Sequence, residues 1–339
     1  MIACEGKASM KNLCIVSPMA WGSGAYVVHT ILERHLPDYR VRAYHPYWVL
    51  FPFVLPAVVP LKGAHLVHST PDYAIFFCRK SAPLVVTFHN YVLDGWMRAY
   101  SSWLQILHYA TDLRLWVQQA LRKANMVTAV SYFTARLVQE DLGSHRSIKV
   151  IYNGVDEGRF TPAPSSSSFQ KEIRVFFSGN LTRRKGAHWL PDIARRLKKN
   201  VRIFYTQGLQ SRSILPPDPR LQPIGPVPFE EMPALYQQMD ILLMPTVREG
   251  FGLAVAEAMA CGLPVAASDC SSIPELVDDG KGGFLCPVGD VEAFAEKINL
   301  LADSPNLRRE MGEYNRAKVE KMFTAKRMAA QYQQLFESI

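Results

Sequence analysis

The chain has 339 residues, 48 % of them hydrophobic and 20 % charged, and a net charge of +8. That is apolar material for roughly two cores, and it excludes a disordered or coiled-coil chain.

Hydrophobic periodicity places the elements in chain order. A short apolar run at 13–17 predicts a strand that ends in the loop Pro18-Met19-Ala20-Trp21-Gly22-Ser23-Gly24. Residues 25–36 follow with a helical stripe of Val27, Val28, Ile31 and Leu32. Further strands are predicted at 41–44, 64–68 and 84–88, then a long helix over 104–124. Strands at 126–131 and 149–152 flank a helix over 132–141. Residues 161–170, TPAPSSSSFQ, carry almost no apolar content and read as a linker. The rhythm then restarts, with strands at 173–178, 201–206, 241–245 and 265–268. Helices are predicted over 187–198, 229–238, 252–261 and 274–278. Ser272 and Glu275 have capping-box spacing for the last of these, and Asp290 is placed to cap a helix over 291–301. Residues 307–337 read as helix, broken near Phe323. Strand–helix alternation of this kind gives parallel sheets covered on both faces, and so two doubly wound α/β domains in tandem. Ligands of such sheets bind beyond the carboxyl ends of the strands, which points to the cleft between the domains.

Cys4, Cys14, Cys78, Cys261, Cys270 and Cys286 are scattered, with no C-x-x-C and no zinc-like spacing, and read as reduced thiols. Residues 1–11 lack the apolar core of a signal peptide. The most apolar stretch, 49–61, is interrupted by Pro52, Pro56 and Pro60 and is too short to span a membrane.

The segment most suggestive of chemistry runs from Arg248 to Pro264. A turn containing Glu249, Gly250 and Gly252 leads into a helix that is apolar on nearly every face and therefore buried. Gly262 and Pro264 end it. Glu257 sits inside that helix, where an unpaired carboxylate costs several kcal/mol or so. It needs a base such as Arg248, or an opening onto a cleft. Gly250 and Gly252 expose backbone N–H groups at the helix start, where the dipole favours an anion.

Glu249-x7-Glu257 with its Gly-Phe-Gly turn resembles the signature of retaining GT-B glycosyltransferases, the family 4 (group 1) type. Asn153-Gly154-Val155-Asp156 with Phe160 is similar to the segment that ends their first domain. Gly179–Gly186, GNLTRRKG, is similar to their phosphate loop, and Pro274-Glu275-Leu276-Val277 through Leu285 to a further motif of the second domain. The resemblance covers about residues 13–300. It implies two Rossmann-like domains, 1–165 and 166–322, facing a central cleft, with a C-terminal helix, 323–339, crossing back to the first. It further implies a nucleoside-diphosphate-sugar donor of UDP, GDP or ADP type and a glycan or glycolipid acceptor. Glu249 would hold hydroxyls of the donor sugar, and Glu257 the ribose. The amides of Gly250, Phe251, Gly252 and Leu253 would cradle the sugar and distal phosphate. Lys185 with Arg184 or Arg183 would neutralise the leaving diphosphate, Gly24 and Gly179 would approach it closely, and Val227 would lie in the loop at the base. His89 sits where the family often carries a cleft histidine; the alternative is a satisfied histidine at a strand end. Asn180 departs from the family, standing where an arginine is usual, so the charge passes to Arg183 or Arg184. The alternative for that pair is a solvated basic turn. No D-x-D motif or ligand cluster implies a metal, and no cofactor is expected.

Residues 1–165 carry 16 Lys and Arg against 10 Asp and Glu. With Tyr47-Trp48-Val49-Leu50-Phe51 leading into the proline-punctuated run, this basic half suits peripheral contact with an anionic membrane from the cytoplasm. The competing reading of 47–61 is a connection buried under the first sheet. Two other functions remain in view, a GT-B nucleotide-sugar epimerase and a catalytically silent GT-B binding module. A dinucleotide site fails for want of G-x-G-x-x-G, and nucleic-acid binding has no motif behind it.

Overall fold

The computed structural model describes residues 13–143, 146–164, 172–207 and 215–339. Its aliphatic runs become strands whose faces are covered by helices. Six of them, β1 (Ile15–Ala20), β2 (Tyr39–Tyr44), β3 (Leu66–Ser69), β4 (Leu84–Phe88), β5 (Met126–Ala129) and β6 (Lys149–Val150), form one sheet in the order β2-β1-β3-β4-β5-β6. Six more, β7 (Ile173–Phe177), β8 (Val201–Thr206), β9 (Leu221–Gly225), β10 (Ile241–Met244), β11 (Val265–Ser268) and β12 (Gly283–Cys286), form a second in the order β12-β11-β10-β7-β8-β9. Strand pairing within both sheets is parallel. This is the tandem doubly wound α/β architecture expected from the alternation.

Several local expectations change. Strand β9 falls in a stretch to which the sequence assigned no element; Pro223 lacks a ladder donor, and β9 lies at the sheet edge, with a register shift between Tyr205 and Thr206. Strand β12 follows a turn too closely for a periodic signal. The helix predicted over 104–124 is interrupted by a π turn at Tyr109–Leu113, where the Thr111 hydroxyl donates to the Leu107 carbonyl at 2.7 Å. The helix predicted over 229–238 contracts to Met232–Tyr236. Asp290 does cap Val291–Asp303, accepting from Ala293 N at 2.9 Å. Residues 161–164 of the expected linker are irregular, and the rest of it lies outside the described residues, as do 1–12 with the signal-peptide reading.

At the C-terminus Pro305–Met322 is followed, after Phe323 and Thr324, by Ala325–Glu337. Val155 N donates to Phe323 O, and Ala325 N to Val155 O, each at 2.8 Å. Gly154 is required there: a Cβ would lie 2.6 Å from Ala325 Cα. The last helix then buries Met328, Tyr332 and Phe336 against Val28, Leu32 and Tyr39 beside the first sheet. The second half of the chain thus contributes to the first core.

Candidate active site

The loop after β10 is stitched to the loop after β7. Val247 N donates to Arg184 O at 2.9 Å, and Gly186 packs so tightly that a Cβ would fall 1.8 Å from Pro245 O. This fixes Lys185 against Glu249, with Nζ 2.7 Å from Oε1 and Arg184 Nη1 3.7 Å from the same oxygen. The Thr246 hydroxyl adds a hydrogen bond at 3.0 Å. Burial alone would raise the Glu249 pKa, but the charges of Lys185 and Arg184 and these hydrogen bonds outweigh it, and the carboxyl is held below its ordinary value.

Eight residues on, Glu257 lies within the helix Leu253–Ala260. Its partner is the Tyr236 hydroxyl, which donates to Oε2 at 3.0 Å. Burial dominates here and pushes the carboxyl up to about 7. Arg248, a partner considered for Glu257, is committed elsewhere: its Nη1 lies 2.6 Å from Asp94 Oδ2, and its guanidinium stacks 4.4 Å from the Trp96 ring.

Ser272 and Glu275 do not form a capping box. The Ser272 hydroxyl donates to the carbonyls of Glu249 (3.1 Å) and Phe251 (2.9 Å), so it shapes the loop. The Glu275 carboxylate accepts from Tyr132 N and Phe133 N at 2.9 and 2.8 Å, and thereby caps Tyr132–Leu142 beside the first sheet. At the same junction the Gly250 carbonyl accepts from Ser131 Oγ (2.6 Å) and Thr134 Oγ1 (3.1 Å). A Cβ on Gly250 would lie 2.0 Å from His89 O, so only glycine fits.

On the first-sheet side, the turn after β1 opens the helix Gly24–His35, with Ser23 as N-cap accepting from Tyr26 N at 3.0 Å. His89 follows β4. Its Nε2 is 3.0 Å from His29 Nε2, and His29 Nδ1 meets Ser17 Oγ (2.7 Å) and Tyr39 Oη (2.6 Å). Tyr39 Oη continues to His68 Nδ1 at 2.7 Å, and His68 Nε2 to Thr87 Oγ1 at 2.6 Å. Thr87 in turn meets Tyr332 of the C-terminal helix at 3.2 Å. Burial keeps all three rings neutral, His89 at a pKa of about 3. His89 is therefore neither a lone strand-end histidine nor free to turn; its Nδ1 is buried without a hydrogen bond.

These elements enclose a cleft of about 700 Å³. The residues singled out from sequence line it, Asn180 included, with two exceptions. Arg183 is exposed on the far side of the tight turn Thr182–Gly186, beside His188, and Val227 gives way to Phe229. The structure also brings in Asp72, Tyr44 and Tyr73, from loops and strand ends that bear no motif. Among the described residues no group of three or more His, Cys, Asp or Glu side chains is placed to hold a metal. The expectation for 47–61 resolves into two layers. Pro52, Leu55, Val59 and Leu61 are buried, while Tyr47, Leu50, Phe51 and Phe53 are exposed, Phe53 at 76 %.

Two family models match the chain: Glycosyltransferase Family 4 over residues 12–159, and Glycosyl transferases group 1 over 172–304. Among curated proteins, the N-acetyl-alpha-D-glucosaminyl L-malate synthase of Bacillus anthracis is 23 % identical over 66 % of this chain and 62 % of its own length. The putative colanic acid biosynthesis glycosyltransferase WcaL of Escherichia coli is 30 % identical over 56 and 50 %. The chain thus spans half to three-fifths of these relatives. The alpha-maltose-1-phosphate synthase of Mycolicibacterium smegmatis is matched more fully, at 25 % identity over 98 and 93 %. The fold is shared with Anabaena HepE solved with UDP and glucose, at a TM-score of 0.78 and 21 % identity over 97 and 100 % of the two chains.

Proposed function

We propose that this chain, which belongs to the family 4 (group 1) glycosyltransferases, moves a sugar from a nucleoside-diphosphate-sugar to a hydroxyl of a glycan or glycolipid. The observation that carries this reading is the Glu249–Lys185 pair, set in one cleft with the N-termini of two helices, Gly24–His35 and Leu253–Ala260. Those N-termini supply amide donors and dipole for a diphosphate, and Lys185 and Arg184 supply full charge. When donor binds, Lys185 turns from Glu249 to phosphate, and Glu249 is released to accept from sugar hydroxyls. Glu257 and the buried Tyr236 form the ribose end.

The anomeric carbon–oxygen bond to the diphosphate breaks, and the acceptor oxygen bonds to the same carbon. The acceptor proton leaves with the diphosphate. Attack from the face of departure retains configuration, and the protein's own cations take the role of a metal. EDTA then leaves turnover unchanged. The HepE complexes with UDP and with UDP-glucose make UDP the first donor base to try. The exposed Tyr47, Trp48, Leu50, Phe51 and Phe53 and the basic first half support peripheral contact with anionic membrane from the cytoplasm; no helix among the described residues is long and apolar enough to cross one.

A thermal-shift panel of UDP, GDP, ADP and their sugar conjugates tests the donor site. One of them raises the melting temperature, and a response to none removes the reading. Sugar turnover without any acceptor points instead to the epimerase.

A further inference from the structure

Opposite the charged donor wall the cleft holds a carboxylate with no ion-pair partner among the described residues. Asp72 follows β3, three residues after Ser69, and lines the cleft with Tyr44, Thr70 and Tyr73. It forms neither hydrogen bond nor ion pair with any described residue. The basic group whose charge reaches it, His108, is already paired with Asp112 at 2.9 Å. The phenols of Tyr44, Tyr73 and Tyr109 all feel its charge, yet none donates to it. Desolvation leaves the Asp72 carboxyl at a pKa of about 6. Uncompensated groups of this kind are expensive, and a cleft is where a ligand can supply what the protein withholds.

We infer that Asp72 is the specificity-determining residue of the acceptor subsite, taking hydrogen-bond donors of a neutral or amino-bearing sugar and turning away anionic ones. A carboxylate accepts from hydroxyl or ammonium groups and repels a second anion in a partly dry site. The discrimination thus comes from a repulsive element as well as an attractive one. Tyr44 and Tyr73 line the cleft beside it. Trp21, half exposed, lies 5.6 Å from His45 at the rim, and His45 leads on to Tyr47 at 5.7 Å. The rim therefore continues from the carboxylate toward the exposed apolar turn.

The inference rests on the cleft being a nucleotide-sugar site, and the test keeps the two apart. Octyl glucoside, octyl glucosaminide and octyl glucuronide are titrated into the UDP-loaded protein by calorimetry, for the wild type, Asp72→Asn and Asp72→Ala. The wild type binds glucoside and glucosaminide at least tenfold more tightly than glucuronide. Both variants bring the glucuronide to within about twofold of the glucoside while UDP affinity stays unchanged. Glucuronide bound as well as glucoside by the wild type overturns the inference, as does an unchanged ratio in the variants or no binding of any glycoside. Failure of UDP itself to bind is a separate result and strikes the donor reading instead.

Discussion

The two walls of the cleft use opposite electrostatics. On the second-sheet wall charge is present and balanced: Lys185 and Arg184 face Glu249, all side chains at most about a third exposed. On the first-sheet wall charge is suppressed: His89, His29 and His68 are neutral by burial, and Asp72 has no ion-pair partner among the described residues. A wall with exchangeable ion pairs can take an anion by trading partners, at little net desolvation cost. A neutral hydrogen-bonding wall presents dipoles to hydroxyls without competing for the diphosphate. The division suits a reaction in which the anion leaves from one side and a neutral oxygen arrives from the other.

The largest expected effect is at the seam between the walls. Arg248→Ala leaves Asp94 buried without its cation and costs about 3–5 kcal/mol in urea unfolding. Arg248→Met with Asp94→Leu recovers most of it; a single variant as stable as wild type would mean the seam does not hold the walls together. Next, Lys185→Ala removes the charge that faces the diphosphate, lowering transfer by about 10²–10³-fold and abolishing the UDP thermal shift. Lys185→Met with Glu249→Gln restores the melting temperature without restoring transfer. Recovery of both would show that the pair only braces the loop.

Glu257→Gln sharpens the comparison within one wall. Its folded pKa of about 7 exceeds the ordinary 4.5, so the folded state holds the proton more tightly. Stability contributed by this group is full below about pH 4.5, falls as pH rises toward 7, and is lost above it, a penalty of at most about 3 kcal/mol. Without ligand, Glu257→Gln therefore melts higher than wild type at pH 8 and equally at pH 4, while its UDP shift is smaller. A lower melting point at pH 8 would contradict the burial argument. The smallest effect is at the rim. Phe53→Asp reduces retention by anionic vesicles at low salt about tenfold, the worth of roughly 1.4 kcal/mol of apolar transfer, and shifts stability by no more than about 0.5 kcal/mol. Wild type that fails to sediment with such vesicles removes the membrane contact altogether.

The second-sheet wall was legible in the sequence because it is local. A strand, a two-glycine turn and an apolar helix with one acid occupy about twenty consecutive residues, and the chemistry shows in their spacing. The first-sheet wall is assembled at a distance. His29, His68 and His89 come from three different β–α units, and nothing in their spacing predicts a chain of hydrogen bonds. Asp94 meets Arg248, and Glu275 meets Tyr132, across more than 140 residues. Ser272 and Glu275 had the spacing of a cap, yet a nearby loop and another helix offered better uses for both side chains. The π turn inside the helix predicted over 104–124 was missed because it comes with a local side-chain hydrogen bond, from Thr111 to the Leu107 carbonyl, that leaves no mark on the apolar periodicity.

The Gly250 peptide is where both halves of the molecule are fastened, its carbonyl held by Ser131 and Thr134 and its α-carbon flush against His89. The same peptide begins the turn that would cradle the sugar. The cleft cannot widen along this edge without unfastening that turn, so opening of the cleft and dismantling of the loop become a single event. Under the function proposed above, release of the spent nucleotide would require that rupture, and turnover that slows in a more viscous solvent would show that release sets its pace.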